Sequence, residues 1–377
     1  MAIRYDALTT DRVYRAQLPP EEAIEIMKSK LGSHFNKDIV EITKFEFPIF
    51  LESLDYRDIT SEATAINCAF VSKILNDFTE EEELFPTVSG RMSSSSFGFN
   101  INTSKGFFKV CVRNAQVEID GGYEGDSSLT LIEAKNYISD DFLVRQLYYP
   151  FKLWSNKISK KVRPIFMTYS NGVFHLREYF FDDINHYNSL RLIREKKYVV
   201  QDGTLNIEVI QQILDTVKNT KEPEIPFPQA DSFERVINLC ELLNQKEFIT
   251  KEEITQNYDF DSRQTDYYTN AGKYLGLINT RKEKDQILCY LNDKGKKVFR
   301  LSIFDRQLEF VKLILTHSTF KKTLKLFLEN GTLPNKEAIV EIMRNSKLYN
   351  VNSESTYFRR ASTISGWINW IINQVEE

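Results

Sequence analysis

The chain has no run of apolar residues approaching the roughly 18 that a membrane span requires. Even residues 63–75 are interrupted by Asn67, Ser72 and Lys73. The opening segment, MAIRYDALTTDR, carries charges where an export signal needs its apolar stretch, so a cytoplasmic protein without a membrane partner is expected. Cysteine is scarce: Cys68, Cys111, Cys240 and Cys289 lie far apart, with no Cys-x-x-Cys pair. That spacing argues against a zinc site or a disulfide framework and fits a reducing compartment. His34, His175, His186 and His317 are too scattered in sequence for a metal cluster. No P-loop pattern occurs, which leaves an ATP-driven reaction without support. A cationic excess is missing too, since 49 basic residues stand against 53 acidic ones for a net charge of −4. Taken alone, that balance argues mildly against nucleic acid, whose phosphates call for Lys and Arg. Placement matters more than the total, however, and a site for a divalent ion needs local carboxylates.

What is present belongs to a globular chain. Of 377 residues, 42% are hydrophobic and 27% charged, which excludes disordered and collagen-like classes and allows two or three domains. Residues 1 to about 85 read as mostly helical, with an apolar-periodic stretch at 66–78 closed by the acidic run 79–83, a solvated helix end. From about 97 to 182 the period changes. Residues 106–113, 116–123, 129–135, 162–169 and 173–181 are short, β-branched or aromatic segments between turn residues, and they read as five strands. A helix fits within 141–159, so the pattern predicts a mixed α/β core.

Pro223, Pro226 and Pro228 then make a stiff connector. The expected domains are 1–222, 229–305 and 306–377. Beyond the connector, a helix over 231–243, a capping box starting another near Lys251, and an Asp261–Ser262 cap on a third precede a hairpin. That hairpin joins 277–280 to 286–291 around the charged turn 281–285, the outline of a winged helix. Residues 306–377 are helical in pattern, either a second winged helix or a helical bundle.

The chemistry concentrates at Asp120, Gly121 and Gly122, followed by Glu133, Ala134 and Lys135. In a strand, Glu133 and Lys135 emerge on one side with Ala134 opposite. Asp120 is expected to end the preceding strand beside a sharp glycine turn, and a hairpin would bring it to Glu133. Two carboxylates suit Mg²⁺, which keeps several waters and takes further ligands from phosphate.

This segment resembles the PD-(D/E)xK nuclease superfamily, with Ile119 in place of the usual proline before the aspartate. Residues 141–150 look like the helix that follows the Glu-x-Lys strand in bacterial type II restriction endonucleases, where a polar residue is presented to the metal site. Gln146 fits that role, with Arg145 the alternative. The resemblance implies an α/β, mixed-sheet nuclease core followed by a mainly α winged-helix region. Its activity would be site-specific cleavage of double-stranded DNA in a restriction–modification system, using Mg²⁺-activated water. Asp120 and Glu133 would bind Mg²⁺, Lys135 would assist the attacking water, and Gln146 would support them. The implied partners are double-stranded DNA, a cognate DNA methyltransferase in the same system, and a homodimer as one way to cut both strands. A modification-dependent or repair nuclease, or a non-catalytic winged-helix regulator, are the alternatives.

DNA contacts are expected from three places. Arg91, Ser93, Ser94 and Ser95 form a small-residue loop with a guanidinium and hydroxyls, which an ordinary loop explains equally well. The segment 261–278 resembles the recognition helix of winged-helix domains attached to restriction enzymes. There Arg263, Gln264, Tyr267 and Asn270 are candidate base or phosphate contacts, although core packing competes for the tyrosines. Near the end, Thr356, Arg359 and Thr363 share a helical face and Arg360 adds a neighbouring cation. The basic string Lys152, Lys157, Lys160, Lys161 and Arg163 reads either as a DNA-facing patch or as a solvated helix end.

Overall fold

In the computed structural model, residues 42–48, 50–104, 106–139, 142–200, 205–258 and 260–375 are described. Strand β6 (Ser128–Lys135) sets the layering of the first region. Leu129 and Leu131 point to one side, Ile132 and Ala134 to the other, and all four are buried. Around it lie β1 (Ile42–Phe45), β2 (Phe85–Ser93), β5 (Gln116–Glu124), β7 (Lys161–Ser170), β8 (Val173–Phe181) and β9 (Leu190–Val200). These seven strands form one mixed sheet in the order β1-β9-β8-β7-β6-β5-β2. The β1–β9 and β6–β7 pairs are parallel and the rest antiparallel.

One face of the sheet is covered by helices α1 (Glu62–Val71) and α2 (Ile74–Thr79), whose Ile66, Ala69 and Phe78 pack with Ile132, Ala134 and Met167. The other face is covered by α3 (Val144–Ser155), the crossover between β6 and β7, through Leu147, Tyr148 and Phe151. A separate two-stranded ribbon, β3 (Ser96–Thr103) and β4 (Gly106–Arg113), packs on that same side through Phe99 and Val112.

The second region is mainly helical. Helices α4 (Ile207–Thr216), α5 (Phe233–Lys246), α6 (Lys251–Asn257) and α7 (Ser262–Tyr274) come first. A three-stranded sheet is built from β10 (Ile249–Thr250), β11 (Ile278–Glu283) and β12 (Gln286–Leu291), in the order β10-β12-β11. Then follow α8 (Asp293–Val298), α9 (Ile303–Leu315), α10 (Ser318–Asn330), α11 (Lys336–Arg344) and α12 (Glu354–Asn373). Phe233, Phe310, Phe320, Trp367 and Trp370 lie in one buried cluster that joins these helices. The two regions meet where Glu241 of α5 accepts hydrogen bonds from Ser170 Oγ (2.7 Å) and Asn171 N (2.9 Å) and pairs with Arg306 (3.3 Å).

All five expected strands form, and so does the helix between the third and fourth. Several other expectations are corrected. Residues 1–41, which carry much of the expected N-terminal helix content and His34, fall outside the described residues, as does Asp141. The stretch 66–78 is not one helix: it breaks at Ser72–Lys73, where Lys73 adopts a left-handed φ of 66°. The acidic run is not simply solvated, because Glu81 is buried against the hydroxyls of Ser127 and Ser128.

Residues 90–97 are not a long loop: all but Ser94 and Ser95, which make the turn, belong to β2 and β3. Gly121 and Gly122 do not form a turn, since β5 runs through them to Glu124. What Gly122 serves is close approach: a Cβ there would sit 2.7 Å from the Val88 backbone oxygen of β2. The turn of the later hairpin is only Lys284–Asp285, both at positive φ, so β11 reaches Glu283. In 306–377, no strand follows β12 among the described residues, and the helical alternative holds. The proline stretch is not a free spacer, because Phe227 is buried and stacks on Phe320.

Candidate active site and nucleic-acid interface

The β5–β6 ladder keeps one register, pairing Glu124 with Leu129 through Gly121 with Ile132. One step further along the same register, Asp120 faces Glu133. Directly opposed residues in antiparallel strands project to the same face with Cβ atoms about 4.5–5.5 Å apart, so the two carboxyls converge. The ladder itself stops there because the Asp120 side chain replaces it: Oδ2 accepts from the Ala134 backbone N at 2.8 Å.

Three further side chains complete the cluster. Lys135 Nζ donates to Glu133 Oε1 at 2.5 Å and to the Ala134 carbonyl at 3.0 Å. Gln146, in the first turn of α3, donates through Nε2 to the same Glu133 oxygen at 2.5 Å. Glu62 opens α1 just after its Ser61 N-cap, and its Oε1 lies 3.7 Å from Lys135 Nζ.

Sequence reasoning named the first four residues and missed Glu62. A glutamate in a first helical turn is a common capping feature, and only the docking of α1 on the sheet carries it to the site.

Burial governs the electrostatics. Glu133 is almost fully enclosed, and burial first, then the Asp120 charge, push its carboxyl up to about 7. Burial likewise raises Asp120 and Glu62. It also pulls the Lys135 ammonium down, but the surrounding carboxylates, Glu133 first, outweigh it and hold Lys135 above its ordinary value. Lys135 is therefore a cation at neutral pH.

Three acidic side chains share one lysine, which leaves unbalanced negative charge in a partly buried place. Such a place suits a hard divalent cation. Among the described residues, no group of three or more His, Cys, Asp or Glu forms a metal-holding set. Mg²⁺ needs fewer, since one or two carboxylates, waters and a phosphate commonly hold it. Asp120 and Glu133 are two.

The other expected residues fall into different places. Arg91 stands opposite Glu118 across β2–β5 and pairs with it at 3.1 Å on the exposed surface. Ser93 is exposed, whereas Ser94 is buried and accepts from Ala115 N, which gives it a structural turn role instead of a DNA contact. Ser95 turns the chain with a positive φ. Arg145 is exposed, 6.0 Å from the Tyr149 ring. The basic string is not a patch: Lys152 and Arg163 are buried, on Asn185 and Glu178 respectively, and Lys160 pairs with Glu124.

On α7, Arg263 is exposed, and Tyr267 and Asn270 are half-buried. Gln264 is taken up by the capping box with Asp261. On α12, Arg359 is exposed, while Thr356 bonds to the Ser353 cap. Arg360 donates to Gln229, and burial first and Arg359 second lower its guanidinium pKa, with Tyr267 acting in the opposite sense. Thr363 is corrected outright: it is fully buried and bonds to Ala230 N and Asp231.

Fold and site together define a mixed α/β protein that carries a carboxylate–lysine cluster beside a helical region. Residues 27–199 match a domain of unknown function (DUF6997) and residues 235–376 match another (DUF7226). No match was found among curated proteins or among solved structures.

Proposed function

We propose that the chain is a Mg²⁺-dependent, site-specific DNA endonuclease of the PD-(D/E)xK kind, acting in a bacterial restriction–modification system. The observation that carries this reading is the register that opposes Asp120 and Glu133, with Lys135 and the α3 residue Gln146 bonded to the same Glu133 oxygen. Three antiparallel strands, a crossover helix and a parallel strand support it as well, with Asp120 in the middle of β5 across from Glu133 near the C-terminal end of β6. For the DNA-binding part, the support is the order α5-β10-α6-α7-β11-β12 with its three-stranded sheet, which leaves Arg263 exposed in the first turn of α7.

Asp120 and Glu133 are the groups that would hold the ion. When bound, Mg²⁺ supplies a lowered pKa for water and neutralisation of charge on phosphorus. The protein's own groups do the rest. Lys135, being charged, cannot accept a proton, so it orients the attacking water and stabilises charge developing on the phosphate. Gln146 fixes the Glu133 carboxyl through its hydrogen bond, and the Asp120–Ala134 bond locks the opposing carboxylate.

The test is incubation of the protein with plasmid DNA, with Mg²⁺ or with chelator. Discrete fragments that appear only with Mg²⁺ are expected. Mg²⁺-dependent degradation without discrete fragments would indicate a nuclease of another kind, and intact DNA under both conditions would overturn the catalytic reading.

A further inference from the structure

The ribbon β3–β4 takes no part in the carboxylate cluster, yet its composition departs from the rest of the chain. Residues 84–117 contain Arg91, Lys105, Lys109 and Arg113 and not one aspartate or glutamate, although 53 of 377 residues are acidic. The ladder between its strands sorts the side chains by face. Phe97–Val112, Phe99–Val110 and Ile101–Phe108 share the inner face, where Phe99 packs on Tyr148 (5.0 Å) and Phe97 on Tyr149 (5.3 Å) of α3. Ser96–Arg113, Asn100–Lys109 and Asn102–Phe107 share the outer face.

Lys109 and Arg113 are exposed, and Phe107 is 71% exposed near the tip. The ribbon is braced along β3: Asn100 N donates to Asn185 O, Tyr187 N to Asn100 O, and Asn102 N to Asn188 Oδ1. Phe107 packs on the His186 ring of the bracing loop (5.1 Å), so the outer face is a preformed surface of cations, amides and one Phe–His ring pair.

Resting on the endonuclease reading, we infer that the outer face of the β3–β4 ribbon enters a groove of the duplex and contributes to reading its sequence. A two-stranded ribbon fits the major groove. Lys109 and Arg113 meet phosphates or guanine, the amides of Asn100 and Asn102 match adenine, and Phe107 makes apolar contact with bases. A carboxylate on either strand of the ribbon would oppose the phosphates, and neither strand carries one, while Asp183 of the bracing loop is tied to His186. The ribbon's position adds a second support. It is anchored on α3 at Tyr149, and Gln146 of that helix bonds to Glu133, so groove contact and scissile phosphate are reached by one rigid unit.

The test uses the full chain, chelator to prevent cleavage, and a labelled duplex of mixed sequence, with affinity followed against salt. Replacing two phosphate-facing cations should lower the salt slope by about 2, so Lys109→Glu with Arg113→Glu should bind about tenfold or more weakly with a flatter dependence. Lys109→Ala alone should lower the slope by about 1. Phe107→Ser should weaken binding with the slope unchanged, and all variants should melt like the parent.

If the parent binds duplex and the double variant binds with the same affinity and slope, the ribbon inference fails and the nuclease reading stands. A parent that binds no duplex at any salt removes both. A Phe107→Ser variant that loses self-association while keeping its DNA affinity and slope would make the ribbon a contact between copies of the chain, and would likewise overturn the inference.

Discussion

At the scale of single residues, keeping Glu133 where it is carries an electrostatic cost. Burial and the opposed Asp120 push its carboxyl up to about 7, against an ordinary glutamate value of 4.5. A raised carboxyl pKa means that the folded chain binds this proton more tightly than the unfolded chain does. No penalty exists below about 4.5; it grows as pH rises toward about 7 and is full above it. In chelator, Glu133→Gln should therefore leave the melting temperature near that of the parent at about pH 5 and raise it by several degrees at about pH 8. Thermal melts at the two pH values check this, and equal shifts at both would contradict it. Asp120, Glu133, Lys135 and Gln146 were legible because their spacing obeys local strand and helix periods. Glu62 was not, since its partnership with Lys135 exists only in the folded arrangement of α1 on the sheet.

At the scale of elements, the strands that sequence reasoning found are those with dense β-branched and aromatic content: β4, β5, β6, β7 and β8. Those it missed have identifiable reasons. β2 carries Pro86, Gly90 and two serines, Ser89 and Ser93, which read as loop, and the structure makes it an edge strand with register shifts at Pro86/Val88 and Val88/Gly90. Edges and bulges are where a sheet tolerates such residues. β3 alternates Gly98, Asn100 and Asn102 with apolar residues because only one of its faces is covered. β9 holds Arg191, Arg194, Glu195, Lys196 and Lys197, a charge density that hides its period. Some of those charges are spent on structure: Arg194 pairs with Glu178, which is held below its usual pKa, despite burial, chiefly by the Arg163 guanidinium. The helix–helix–hairpin order after the connector was legible down to its caps, since Thr250 and Asp261 accept the expected backbone bonds.

At the scale of the whole molecule, the two regions are coupled at the end of the Glu-x-Lys strand. Asn238 Oδ1 of α5 accepts from Ile138 N at 3.3 Å, three residues beyond Lys135, and Tyr137 packs edge-on against Tyr258. The chain's division also shifts from the proline stretch. Ile207, Ile210, Ile213, Leu214 and Phe227 are all buried in the C-terminal core, so α4 and the connector belong to the second region. Each such side chain contributes about 1.5–3 kcal/mol, and together they rival the 5–15 kcal/mol that holds a typical domain. A fragment starting at residue 205 should thus melt cooperatively, and one starting at residue 229 should be much less stable or unfolded. Equal melting of the two would contradict the packing.

The central claim is that opposed carboxylates on β5 and β6 cut DNA, and a single variant probes it most directly: Asp120→Asn, compared with the parent for plasmid cleavage in Mg²⁺ and for duplex affinity in chelator. If Asp120 holds the ion and touches no groove, its replacement should slow cleavage by about a hundredfold or more while affinity stays within a few-fold. Cleavage by the variant at close to the parent's rate would contradict the assignment of Asp120, and with it the site.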